Sequence, residues 1–133
     1  MYLLDTDSCI LALNGCDQGI KQKLLQIHPD EIQISSVTVG ELEYGATKQQ
    51  FGKSARERLR MFLANYRIVP FNEEDAILSG RMRARLEAAG KPIGVYDMMV
   101  AVQAMVRGMV FVTCHPEAFP EMPELQIEDW APG

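Results

Sequence analysis

The sequence predicts an α/β fold, with a central, mostly parallel sheet of about four to five strands covered by helices on both faces. Three observations predict it. Short continuous apolar runs, "YLL" at the start and "MVFVT" over 109–113, read as strands buried on both sides. Longer segments between them carry apolar residues at helical spacing. Strands and helices then alternate along the chain, as crossover units do.

Each element follows in order. Residues 1–6 read as the first strand, running directly into Asp5 and Asp7. Ile20, Leu24 and Ile27 recur at helical spacing and predict a helix over about 18–28. "EIQIS" (31–35) alternates like a short strand, and a helix follows from Ser36 to Ala46, ending near Gly45. Leu59, Phe62, Leu63 and Tyr66 mark one face of a helix over about 54–66, and "RIVPF" (67–71) reads as a strand. Leu78, Met82 and Leu86 mark a helix over about 73–89, with Gly90 suited to its C-terminal cap. "YDMMVAVQAMVRG" is apolar almost all round, so its helix is buried. "MVFVT" and a short "LQIE" (125–128) complete the sheet.

Composition sets limits. With 133 residues, one domain over 1–133 is expected, large enough to bury a core. There is no repeat, no low-complexity tract and no run of 18 apolar residues, so no membrane span is expected. Acid at position 5 and the lack of a basic leader argue against a signal peptide. Three cysteines without CxxC spacing suggest reduced thiols and a cytoplasmic protein. Zinc is not expected, because Cys114 and His115 lack obvious partners in the sequence and His28 is the only other histidine. A net charge of −5 argues against broad nucleic-acid binding, though not against a site with local basic residues.

Open parallel sheets place their sites beyond the carboxyl ends of the strands. Asp5 and Asp7 stand at such an end, as does Thr113. If strand geometry persists, Asp5 and Asp7 point the same way, with Thr6 opposite. Glu41 and Asp97 fall near helix starts, where the backbone favours negative charge. In this architecture Asp5, Glu41 and Asp97 can converge on one edge. Two carboxylates about 4 Å apart repel by ~4 kcal/mol at an effective dielectric near 20, so a cation or raised pKa must compensate. Oxygen ligands without His or Cys suit Mg²⁺ or Mn²⁺.

Each acid also has a structural reading. Asp5 fits an Asx-turn, Thr38 with Glu41 fits a capping box, and Asp97 fits a plain helix N-cap. Tyr96 reads as a packed aromatic, and His115 as an ordinary loop histidine.

Taken together, "YLLDTD", "SSVTVGELEYGA", "GKPIGVYDMMVAVQA", "VFVT" and the terminal "IEDW" resemble the PIN-domain nucleases, most of all the VapC-type toxins of toxin–antitoxin pairs. The resemblance runs over essentially the whole chain. It implies a PIN-like fold and a metal-dependent ribonuclease that hydrolyses RNA phosphodiesters as the toxin of a type II pair. It also implies a homodimer and a small cognate antitoxin that blocks the site. Asp5, Glu41 and Asp97 match the family's acids, as catalytic residues and ligands for Mg²⁺ or Mn²⁺. Thr6 and Thr113 match the flanking hydroxyl residues.

Three departures from the family pattern stand out. Asp7 replaces the usual Asn, Val95 replaces the usual Pro, and "VTCHPEAF" lacks the usual polar ligand after Thr113. Asp7 or Glu117 is the candidate to take that ligand's place. The altered 114–118 segment motivates a second reading, a PIN-like fold that only binds a partner or RNA. A third reading, a DxD phosphatase using Asp5 as nucleophile, shares the opening but lacks the required Lys and acidic pair after Thr113.

Overall fold

The computed structural model describes residues 1–119 and 122–131. Five short strands form one wholly parallel sheet: β1 (Tyr2–Leu4), β2 (Ile32–Ser35), β3 (Arg67–Val69), β4 (Val110–Val112) and β5 (Ile127–Glu128), in the order β3-β2-β1-β4-β5. The order reverses direction between β1 and β4, so the chain leaves β1 to one side and β4 to the other. That switch point opens a crevice at the carboxyl ends of the two central strands.

Strand alternation divides the core in two. Leu3 and Phe111 face one side, packing with Met98, Val102 and Leu86 of two helices, α5 (Glu73–Ala88) and α6 (Val95–Val106). Leu4 and Val112 face the other, with Ile34, Cys9, Leu42 and Leu59. The second layer comes from α1 (Thr6–Asn14), α2 (Gln18–Gln26), α3 (Ser36–Lys48) and α4 (Gly52–Leu63). The two fully buried neighbours Leu3 and Leu4 thus point to opposite cores, the two-sided burial that continuous apolar strands predict.

Two expectations are corrected. The first strand does not persist to residue 6: Asp5 is extended (φ −76°, ψ 172°) and its carboxylate accepts the backbone N–H of Ser8 at 2.8 Å, starting α1 at Thr6. An acid at this position caps the helix by taking one of its unpaired N–H groups. Asp5 and Asp7 therefore do not share a strand face. The second correction concerns Gly45, which does not end α3. A Cβ at that position would meet nothing within 4 Å, and the helix runs on to Lys48. By contrast Gly15 (φ 67°) and Gly90 (φ 71°) do occupy the left-handed conformation just past α1 and α5.

The N-terminus of α5 carries a partly buried ion pair. Arg107, just past α6, donates twice to the Asp75 carboxylate of α5, at 2.6 and 2.9 Å. Gln103 adds an amide donor at 3.2 Å, and Asp75 also closes a capping box with Asn72. No helix among the described residues is long and apolar enough to cross a membrane.

Candidate active site

Four carboxylates meet at the crevice. Asp5 is the deepest, 4% exposed at the end of β1. Its backbone N–H donates to the carbonyl of Val112 on β4 at 2.9 Å, and its own carbonyl accepts Cys9 N–H at 3.1 Å. Main-chain bonds thus fix it across the switch point. Burial raises the Asp5 pKa above its ordinary value, while hydrogen bonds from Thr113 and Ser8 oppose that rise and the charge of Asp7 adds to it.

Asp97 lies in the first turn of α6, where the helix dipole favours an anion. It stands at the rim, open to solvent on one side and desolvated by protein on the other. Its pKa is also raised, first by desolvation and then by the negative charges of Asp5, Glu41 and Asp7; His115 pulls it down. Asp97 is not the N-cap of α6, a place taken by Gly94. A Cβ on Gly94 would lie 3.2 Å from Asp97 Oδ2, so the carboxylate folds back over a bare backbone.

Glu41 comes from the middle of α3. The Thr6 hydroxyl donates to Glu41 Oε1 at 2.6 Å, and the Thr38 hydroxyl lies 3.4 Å from that of Thr6. The proposed capping box of Thr38 with Glu41 does not form. Ser35 caps the helix instead, and buried Thr38 faces Thr6. Thr6 and Thr113, read as flanking hydroxyls, each touch one of the acids.

None of the ion pairs among the described residues involves Asp5, Glu41 or Asp97. Uncompensated oxygen donors in one pocket fit a hard divalent cation by their chemistry. Beside them runs a groove of about 710 Å³, lined by Thr6, Asp7, Glu41, Tyr44, Tyr96 and Met99 among others. Tyr96 is 57% exposed on that groove, so it is not the packed aromatic the sequence suggested. Tyr44, still more exposed there, is not singled out by the sequence, because an aromatic one turn past Glu41 looks like any helix surface residue.

The 114–118 segment also differs from expectation. His115 Nε2 lies 3.2 Å from Asp7 Oδ2, and its Nδ1 lies 3.7 Å from Glu117 Oε1. Glu117 thus faces His115. Cys114 and His115 have a partner after all: ligand atoms of Asp7, Cys114 and His115 lie within 4.8 Å of one another. Burial and the charges of Asp5 and Asp7 push the Cys114 thiol up to about 11. Sequence spacing misses this cluster because Asp7 arrives from the opposite end of the chain.

A parallel sheet with acids gathered at its switch point defines an α/β protein with an anionic crevice, and residues 2–125 match the PIN domain family, to which the chain belongs. Within that family the likeness is to the VapC ribonucleases. The tRNA(fMet)-specific endonuclease VapC of Salmonella typhimurium is 33% identical over 129 residues, 97% of each chain. Ribonuclease VapC2 of Rickettsia felis is 30% identical, over 98% of each. Among solved structures, DNA-bound VapBC from Salmonella typhimurium superposes with a TM-score of 0.90 at 32% identity, covering 98% of both chains. VapBC2 from Rickettsia felis, bound to a promoter DNA fragment, gives 0.89 at 29% identity over 97% of this chain and 98% of that one. Family membership removes the DxD phosphatase reading.

Proposed function

We propose that this chain, as one domain over 1–133, is a metal-dependent endoribonuclease and the toxin of a type II toxin–antitoxin pair. The VapC relatives support the nuclease assignment, and the VapBC complexes among its structural neighbours support a small antitoxin partner. One observation carries the site assignment: the Asp97 carboxyl feels the charges of Asp5, Glu41 and Asp7, three acids from two other segments.

In this reading Asp5 and Asp97 hold Mg²⁺, with Mn²⁺ able to substitute, directly or through water. Such an ion, when bound, supplies Lewis acidity toward a phosphodiester oxygen and toward the attacking water. Glu41 completes the acidic set, its carboxylate aimed by the Thr6 hydroxyl. Thr113 steadies Asp5. Asp7, at the pocket mouth, supplies the extra carboxylate that the 114–118 segment does not. Exposed Tyr96, and the face of Tyr44 turned away from the Lys48 ammonium, offer ring surfaces beside the acids for single-stranded bases to stack on. Scattered Arg and Lys residues meet the phosphates against a net charge of −5, so RNA affinity is modest and falls with salt. The protein acts in the cytoplasm as a homodimer.

The test is cleavage of a mixed RNA pool with Mg²⁺ or Mn²⁺, with chelator and Asp97→Asn as controls. Because a relative is named tRNA(fMet)-specific, tRNA(fMet) is the first single substrate to try. Cleavage that survives both controls overturns the assignment. No cleavage across the pool, with tight binding of a small neighbouring protein, establishes the binding-module reading instead, which the replaced 114–118 segment favours.

A further inference from the structure

We infer that Asp7, Cys114 and His115 form a site for a borderline-soft transition ion of the zinc class, set at the mouth of the acidic crevice. Three donor types converge there from two segments, an oxygen from the first turn of α1 and sulfur and nitrogen from the turn after β4. Bond lengths of about 2.0–2.3 Å place tetrahedral zinc ligands roughly 3.3–3.8 Å apart. His115 Nε2 and Asp7 Oδ2 already stand 3.2 Å apart, and all three ligand atoms lie within 4.8 Å. Asp7 and His115 are exposed, so small side-chain rotations close the remaining gap. The Thr113 hydroxyl, accepting His115 N–H at 3.0 Å, fixes the turn that presents both donors.

A second observation points the same way. His115 turns Nε2 to the cluster while Nδ1 faces Glu117 at 3.7 Å. That separation is beyond hydrogen-bond reach, but Glu117 is exposed, and a small side-chain rotation brings its carboxylate to the position that commonly backs the second nitrogen of a metal-ligating histidine. Sulfur and nitrogen donors select against Mg²⁺, which prefers oxygen. The crevice and its mouth are therefore two sites of different chemistry that share a border at Asp7. An ion at the mouth engages the Asp7 carboxylate and stands over the deeper acids. Under the nuclease reading this inhibits Mg²⁺-supported cleavage; binding itself does not rest on that reading.

Co²⁺, a spectroscopic stand-in for Zn²⁺, provides the test. Metal-stripped full-length protein titrated with Co²⁺ shows a sulfur-to-cobalt charge-transfer band, which Zn²⁺ displaces and Mg²⁺ does not. Cys114→Ser abolishes the band, while Cys16→Ser, altering an exposed thiol elsewhere, leaves it intact. His115→Ala weakens Zn²⁺ binding more than tenfold, and Glu117→Gln weakens it about tenfold. Circular dichroism of each variant confirms its fold. Absence of a thiolate band in the wild type, or a band that survives Cys114→Ser, overturns the inference. A Cys114-dependent band in a protein that cleaves no RNA upholds this site while overturning the nuclease reading.

Discussion

Asp5 and Asp75 are both almost wholly buried, 4% and 1% exposed, and both serve a helix N-terminus. Their surroundings part them. Burial pushes Asp75 up, but the Arg107 guanidinium, with Asn72 and Gln103, outweighs it and holds its carboxyl below the ordinary value. Around Asp5 no cation does the same; burial prevails and its neighbour Asp7 is another acid. One carboxylate ties α5 to the end of α6. The other, under the nuclease reading, is a charge held ready for an ion. Burial alone does not separate a structural acid from a functional one; the counter-charge does.

The contrast is broken most sharply by Asp97→Asn, which removes a carboxylate from the crevice and leaves the Asp75 pair untouched. RNA cleavage falls at least about a hundredfold, since even partners behind a metal's ligands cost up to that much. Added Mg²⁺ then no longer raises the melting temperature as it does in the wild type. At the other pole, Arg107→Met strands Asp75 and costs about 3 kcal/mol of stability, the low end for a buried pair because Arg107 is a quarter exposed. Urea unfolding measures the loss, and the folded fraction keeps its cleavage rate.

The two acids also answer pH with opposite sign. Asp5 has a folded pKa above the ordinary 3.8, so its ionisation burdens the native state at neutral pH, and acidification through that raised pKa relieves it. Asp5→Asn therefore raises stability at pH 7, and its advantage over the wild type shrinks on acidification. Asp75 has a folded pKa below 3.8, so its contribution is complete above that value and is lost as pH falls through the folded pKa. Urea midpoints of wild type, Asp5→Asn and Arg107→Met across pH 3–7 resolve both slopes. The smallest effect is that of Gly94→Ala. The added Cβ, 3.2 Å from Asp97 Oδ2, displaces that carboxylate and lowers cleavage several-fold, while unfolding changes little.

Much of this was legible in the sequence, because period and apolar content are local. "YLL", "MVFVT" and the all-round apolar helix from Val95 fall where expected, and order along the chain implies the parallel sheet. Convergence of Asp5, Glu41 and Asp97 was an expectation from strand ends and helix starts, and the charges of Asp5 and Glu41 do bear on Asp97. Helix α1 was overlooked because its apolar residues follow a strand without a break; the signals were the Asp5 cap and Gly15. Two features could not be read locally. Asp75 meets Arg107 across 32 positions, and Asp7 meets His115 from the far end of the chain. Only the strand order brings such partners together.

The anchoring of Asp5 has a further consequence. Four bonds that owe nothing to a metal hold this residue: its N–H on Val112, its carbonyl on Cys9, and its carboxylate on Ser8 and Thr113. An asparagine there retains an oxygen for Ser8 and leaves both main-chain bonds in place. Under the proposed toxin reading, such a silent copy in a cell would keep the outward shape of the active protein while cutting nothing. It would then soak up the neutralising partner and so set the intact molecules free.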